Sequence, residues 1–161
     1  MKIGIIGLGF VGSSMYKSFK MKGLVENEEL FGFDKYKNGG IGLFENCLNC
    51  DILFLALPTK YNYKLGSYDK QPIFDTCEKL VENNFKGTIV IKSTVEPETT
   101  NKLSKLYNLS FIHNPEFLTA RTAFEDFHNQ THIVLGKGPT CSDENYENVK
   151  AFYKKLYPNA E

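Results

Sequence analysis

Gly7, Gly9 and Gly12 form a G-x-G-x-x-G pattern where a short apolar run gives way to a helical periodicity. The run is residues 2–6, KIGII, which reads as a buried strand. After it, Val11, Met15 and Phe19 recur every four residues, the spacing of an amphipathic helix that Gly23 closes. A second strand at 29–33, ELFGF, leads into Asp34, 22 residues after Gly12. A glycine pattern alone is weak. Between a strand and a helix, with an acid at that distance, it has the full context of a dinucleotide-binding turn.

The chemistry explains each position. Gly7 allows the tight turn, Gly9 lets backbone approach a pyrophosphate, and Gly12 lets the helix pack closely on the sheet. The helix start, at Phe10 and Val11, offers free N–H groups and partial positive charge to phosphates. The Asp34 carboxylate can accept hydrogen bonds from the adenosine ribose hydroxyls and repels a 2′-phosphate, which favours NAD over NADP. Lys35 and Lys37 pull the other way, because nearby cations tolerate a phosphate. The plainer alternative is that the glycines only shape a strand–helix turn and Asp34 begins the next loop.

The remaining chain keeps the same alternation. Further strands are expected at 51–57, 88–93, 109–112 and 131–136, and helices at about 41–47, at 71–84, after VEPETT and over the tail DENYENVKAFYKKLY. In the tail, Tyr146, Val149, Tyr153 and Leu156 stay in step. The segment DILFLAL is apolar almost throughout, as expected of a strand buried on both faces. Residues 58–70 read as a polar, aromatic loop. The expected fold is α/β: a Rossmann-like, doubly wound, mainly parallel sheet of about six strands with helices on both faces, in one domain over 1–161.

Composition excludes several classes. Formal net charge is zero and the pI is about 6.8, so no basic footprint for nucleic acid is present. The apolar runs are too short to span a bilayer, and no signal peptide is evident, which points to a cytoplasmic protein. Of four cysteines, Cys47 and Cys50 have C-x-x-C spacing, but no second pair or ligand-spaced histidines accompany them. Reduced packing thiols, rather than a metal site, are expected.

In an open parallel sheet, ligands bind outside the carboxyl ends of the strands. Here those ends carry Gly7, Asp34, Pro58-Thr59, Ser93-Thr94 and Asn114-Pro115-Glu116. Any one of these is explicable as a helix cap or helix start. Five on one edge favour a cleft. Spacing leaves Glu116 with two roles: pairing with a helix dipole, or a carboxylate that orients or deprotonates a water or hydroxyl.

The segments KIGIIGLGFVG, FGFDKYK, DILFLALPT, IVIKSTVEPETT, HNPEFL and AFEDFHNQTHIVLG resemble, in order and over nearly the whole chain, the N-terminal NAD-binding domain of the UDP-glucose/GDP-mannose dehydrogenase family. The resemblance implies a four-electron oxidation of a nucleotide sugar's primary alcohol to a carboxylate, with two NAD in succession and a cysteine that holds a thiohemiacetal and then a thioester. By resemblance, Glu116 assists thioester hydrolysis, Thr94 helps hold the water, and Thr59 lines the cofactor side of the cleft. The family's central helix and its C-terminal domain, which bears the cysteine, have no counterpart in residues 1–161. Within the matched region, Thr119, Ala120 and Arg121 stand where Arg-Glu-Gly is frequent, Lys60 replaces a proline, and His132 an arginine.

Cys141 precedes the last helix, but nothing in the sequence brings it to the nicotinamide. The expected activity is therefore the cofactor half of a nucleotide-sugar 6-dehydrogenase, inactive alone, with a nucleotide sugar as substrate and a complementing subunit or homo-oligomer as partner. The alternative is a stand-alone NAD-binding accessory or sensor module without turnover. A 6-phosphogluconate dehydrogenase type is a third reading, which NPEF argues against. His113 and His128 read as partly exposed structural histidines. The aromatic loop with Tyr61, Tyr63 and Tyr68 reads as a cover for the cofactor or a contact for a partner domain. The last helix packs its aromatic stripe either on the sheet or on a partner.

Overall fold

A sheet of six strands in the order β2-β1-β3-β6-β7-β8 forms the centre of the computed structural model, which describes residues 1–161. Its strands are β1 (Ile3–Ile6), β2 (Leu30–Phe33), β3 (Ile52–Leu55), β6 (Thr88–Ile91), β7 (Ser110–His113) and β8 (Gly136–Lys137). The first five are parallel, in registers such as Ile3↔Ile52 and Ile52↔Thr88. β8 runs antiparallel on the far edge. β1, β3 and β6 are buried at every position, because parallel strands are covered on both faces.

Alternate residues feed two cores. Ile3, Ile5, Ile52, Phe54, Val90 and Ile112 face α1 (Phe10–Met21), α5 (Ala123–His128) and α6 (Asp143–Leu156), through Met15, Phe19, Phe127, Val149 and Phe152. Leu53, Leu55, Ile89, Ile91 and Phe111 face α2 (Phe44–Cys47), α3 (Gln71–Glu82) and α4 (Thr99–Tyr107), through Cys47, Ile73, Cys77, Leu80 and Leu103. This is the doubly wound, mainly parallel arrangement with helices on both faces. The aromatic stripe of α6 is spent on the molecule's own sheet: Phe152 and Tyr153 lie against Phe54, with ring centroids 6.1 Å apart in both cases. No helix is long and apolar enough to cross a membrane.

The chain leaves β1 for β2 on one side and returns to β3 on the other. Loops at the carboxyl ends of β1 and β3 therefore diverge and open a crevice between them. Gly7 begins the first of these loops at φ +91°, and a Cβ there would lie 2.4 Å from the Ala56 carbonyl oxygen. Only glycine fits a left-handed backbone pressed against its neighbour.

Two expected elements differ. The strand expected at 131–136 is confined to Gly136–Lys137. Residues 131–133 pair with the chain end instead: Ile133 N donates to Glu161 O at 2.9 Å and Glu161 N to Thr131 O at 2.9 Å. The apolar run of that segment reflects packing of Ile133 and Leu135 against the core, not a place in the ladder. Residues 58–70 hold a small hairpin, β4 (Tyr61–Asn62) against β5 (Ser67–Tyr68), where tyrosine rings pack at 5.1 and 5.2 Å. Glu96 ties it down, accepting from Tyr68 N and Lys70 Nζ at 2.8 Å each.

Candidate functional site

The crevice at the ends of β1 and β3 has a volume of about 1350 Å³, and Gly7, Gly9, Phe10, Val11, Asp34 and Pro58 are among the residues that line it. That exceeds the roughly 300–1,000 Å³ of sites for drug-sized ligands. α1 opens directly on it, with Gly9 as N-cap and no side chain capping its first turn. The first amides of a helix have no intrahelical acceptor, so they face the crevice with their partial positive charge intact.

The three glycines separate by environment. A Cβ on Gly12 would lie 1.8 Å from Gly7 O, so Gly12 sets the contact between α1 and the turn. A Cβ on Gly9 would meet nothing within 4 Å. Its extended φ of −73° demands no glycine, so the space over it is what the residue provides. An open cradle beside free amides fits a pyrophosphate, and the residues present fit NAD.

Asp34 stands at the end of β2 and fastens the crevice's other wall. Oδ2 accepts from Leu8 N at 2.8 Å, and Oδ1 from Tyr36 N and Lys37 N at 2.9 Å each. Burial alone would raise this carboxyl; the three amides and the Lys37 charge outweigh it and hold it below the ordinary carboxylate range. The group stays anionic, with lone pairs left for ribose hydroxyls. Lys37 is already engaged, donating to Leu8 O at 2.6 Å and Ser13 Oγ at 2.8 Å. Lys35 lies over the Tyr36 ring, 5.3 Å from its centroid. The cation that would best offset Asp34 against a 2′-phosphate is thus bound to the glycine-rich turn.

The next strand ends are joined to one another. Ser93 Oγ accepts from Leu57 N at 2.9 Å, and Thr59 Oγ1 donates to Thr94 O at 2.6 Å. Thr94 is exposed. Thr59, Thr94 and Glu116 lie outside the lining of the large crevice, and no hydrogen bond links Thr94 to Glu116. Glu116 turns instead towards the face that carries α5 and α6. Its Oε2 lies 2.5 Å from Lys92 Nζ, with side-chain exposures of 11% and 1%, and has no hydrogen-bond partner besides that charge. Lys92 also donates to Asn114 Oδ1 at 3.0 Å and sits 5.6 Å from the Phe127 ring centroid. Burial pushes the Lys92 ammonium below the usual lysine value, against the pull of Glu116. Asn114 in turn donates to Val134 O at 2.8 Å and accepts from the Tyr153 hydroxyl.

Sequence reasoning missed this network. Lys92 lies within the strand expected at 88–93, just before Ser93-Thr94, and nothing in the local sequence marks it. The available signal was its parity: it shares the inward face of Thr88 and Val90, under α5 and α6.

The other candidates resolve simply. All four cysteines are buried and unpaired. Burial pushes the thiols of Cys47, Cys50 and Cys77 up to about 12, far from the range of a nucleophile at neutral pH. His113 is half-buried, and burial with the Lys92 charge lowers its pKa. His128 Nδ1 pairs with Ser18 Oγ at 2.9 Å.

A family description, "UDP-glucose/GDP-mannose dehydrogenase family, NAD binding domain", matches residues 41–157. The UDP-glucose 6-dehydrogenase of Campylobacter jejuni is 28% identical over 95% of this chain and 48% of its own length. A UDP-glucose dehydrogenase from Pyrobaculum islandicum superposes with a TM-score of 0.74 at 21% identity, covering 99% of this chain and 44% of that one. The GDP-mannose dehydrogenase of Pseudomonas aeruginosa gives 0.73 at 21%, covering 98% and 45%. The likeness to these structures shows the fold. The chain spans less than half the length of each of these relatives.

Proposed function

The chain belongs to the UDP-glucose/GDP-mannose dehydrogenase family as its NAD-binding domain, and from that premise we propose that it is the cofactor half of a nucleotide-sugar 6-dehydrogenase. The overall reaction takes a sugar's primary alcohol to a carboxylate. The nucleophilic cysteine comes from outside residues 1–161, later in the same polypeptide or on another chain. The observation that carries the proposal is the crevice over Gly9, closed behind by Gly7 and Gly12 and fastened by Asp34. Bound NAD supplies the hydride acceptor.

Within this half, the first amides of α1 hold the pyrophosphate and Asp34 holds the adenosine ribose. Thr59 and Thr94, bonded to each other, stiffen the edge where the reacting sugar carbon is presented. Glu116 serves hydrolysis as an anion anchored by Lys92. It orients a water through Oε1, which in this structure accepts only from Phe117 N at 3.2 Å. A nucleophile from within residues 1–161 is disfavoured because Cys47, Cys50, Cys77 and Cys141 are all buried.

The test is calorimetry with NAD, followed by NADH formation with UDP-glucose and with GDP-mannose. Saturable NAD binding without turnover is expected for residues 1–161 alone, and turnover on supplying the cysteine-bearing half of a relative. Steady NADH production by residues 1–161 alone would refute the division of labour. NAD binding with no turnover even in the complemented mixture would favour an accessory or sensor role.

A further inference from the structure

Of the 19 lysines and arginines in the chain, Arg121 is the only arginine. It lines the same crevice as Gly9 and Phe10. It is exposed, and it makes no hydrogen bond, ion pair or ring contact within the chain. Of the lysines on the crevice, Lys37 is bound to Leu8 and Ser13, while Lys35 and Lys79 lie over the Tyr36 and Phe44 rings, 5.3 and 5.9 Å from their centroids. Glu125, the other charged residue from this segment on the crevice, forms no ion pair with Arg121.

The packing of α5 on α1 explains why Arg121 is there. The two helices run side by side in the same direction. Lys17 Nζ lies 3.9 Å from the Phe124 ring centroid, Phe19 packs on Phe127 at 5.8 Å, and Ser18 bonds His128 at 2.9 Å. Followed backwards, both helices start at the same edge of the sheet. The residues just before α5 therefore fall beside the first turn of α1, and Ala120 and Arg121 join Phe10 and Ser14 in the lining.

We propose that Arg121 is a ligand of the cofactor's pyrophosphate, reaching from the start of α5 across the crevice to the phosphates held by the first turn of α1. This rests on the reading of the crevice as the NAD site. The chemistry favours arginine over the lysines used elsewhere. A guanidinium presents two parallel N–H groups to two phosphate oxygens and keeps its charge at every working pH. The α1 amides provide only partial charge, and the pyrophosphate carries two full negative charges, so a cation opposite the helix completes the site. Having no partner in the free chain, Arg121 gives up no internal bond when it turns to the ligand.

Calorimetry with NAD and with ADP, on the unsubstituted chain, R121Q and R121K, tests this, with thermal melts to show that the exposed substitutions leave the fold intact. R121Q is expected to weaken NAD and ADP alike by tenfold or more, with R121K between. The salt dependence of NAD binding is expected to be shallower in R121Q, since one fewer phosphate charge is neutralised. Equal NAD affinity in R121Q and the unsubstituted chain would overturn the assignment and leave the crevice's reading standing. Loss of NAD affinity with ADP affinity unchanged would also overturn it, placing Arg121 at the nicotinamide end. Failure of the unsubstituted chain to bind NAD or ADP would overturn both.

Discussion

At the scale of single residues, two acids at strand ends have taken opposite paths. Asp34 spends its carboxylate on three backbone amides and stays at the crevice. Glu116 spends one oxygen on the Lys92 ammonium and is turned away from it. The Lys92–Glu116 pair joins the ends of β6 and β7 beneath α5, with the Lys92 side chain 1% and the Glu116 side chain 11% exposed. Removing one partner from such a pair costs more than replacing both, because the survivor keeps a buried charge. K92M is expected to lower unfolding free energy by about 3–5 kcal/mol. K92M/E116Q is expected to be less destabilised than the sum of its single variants, since the lone charge is gone. Urea unfolding of the four chains measures the coupling; additive effects would show that the pair is solvated and only incidental. Glu116 was legible in the sequence as a strand-end acid. Its anchor was not, because Lys92, the Asn114–Glu116 stretch and Tyr153 come from three places in the chain and meet only once the sheet and α6 are assembled.

At the scale of elements, the first strand–turn–helix unit was the most legible part, because its signals lie within a dozen residues and each glycine answers to local sterics. β8 was the least legible. Its segment has a strand's composition, yet hydrogen bonds to the chain end compete for its backbone, and a sequence pattern does not show who the partner is. The turn allows a separation of folding from binding by two single methyl groups. G12A drives a Cβ to within 1.8 Å of Gly7 O, and backbone cannot yield as a side chain tip can. α1 must shift, with an expected loss of about 1–3 kcal/mol of stability together with the NAD site. G9A adds a methyl where nothing lies within 4 Å, at a φ that alanine accepts. Its melting temperature is expected to hold or rise slightly while NAD binding weakens by tenfold or more, because the methyl occupies the space the pyrophosphate enters. Equal NAD affinity in G9A and the parent would show that the phosphates do not pass over Gly9.

At the scale of the whole molecule, ionisable groups shifted by burial and by their neighbours on both faces of the sheet set a pH profile for stability. Burial and neighbouring lysines lower the pKa of His113 and His128 below the ordinary value near 6.5. The unfolded chain then binds protons that the native chain refuses, so their contribution is complete above about pH 6.5 and is lost as pH falls through that value. The lowered carboxyls act in the same sense further down: Asp34, and Glu96, which Lys70 and the Tyr68 amide bring to about 2, hold their contribution above the usual carboxylate range and lose it below. On the alkaline side the sign reverses. Cys47, Cys50 and Cys77 at about 12, and Tyr153 and Tyr157 raised by burial, stay protonated in the folded chain where the unfolded chain ionises. Stability therefore falls as pH rises past the ordinary thiol value of about 8.5. Urea midpoints at fixed ionic strength are expected to climb from pH 5 to 7, hold to about 8, and decline above. H113N and H128N should each flatten the climb between pH 5 and 7 without moving the alkaline limb. A climb that persists unchanged in the double variant H113N/H128N would assign it to other groups and show that both imidazoles titrate alike in the folded and unfolded chains.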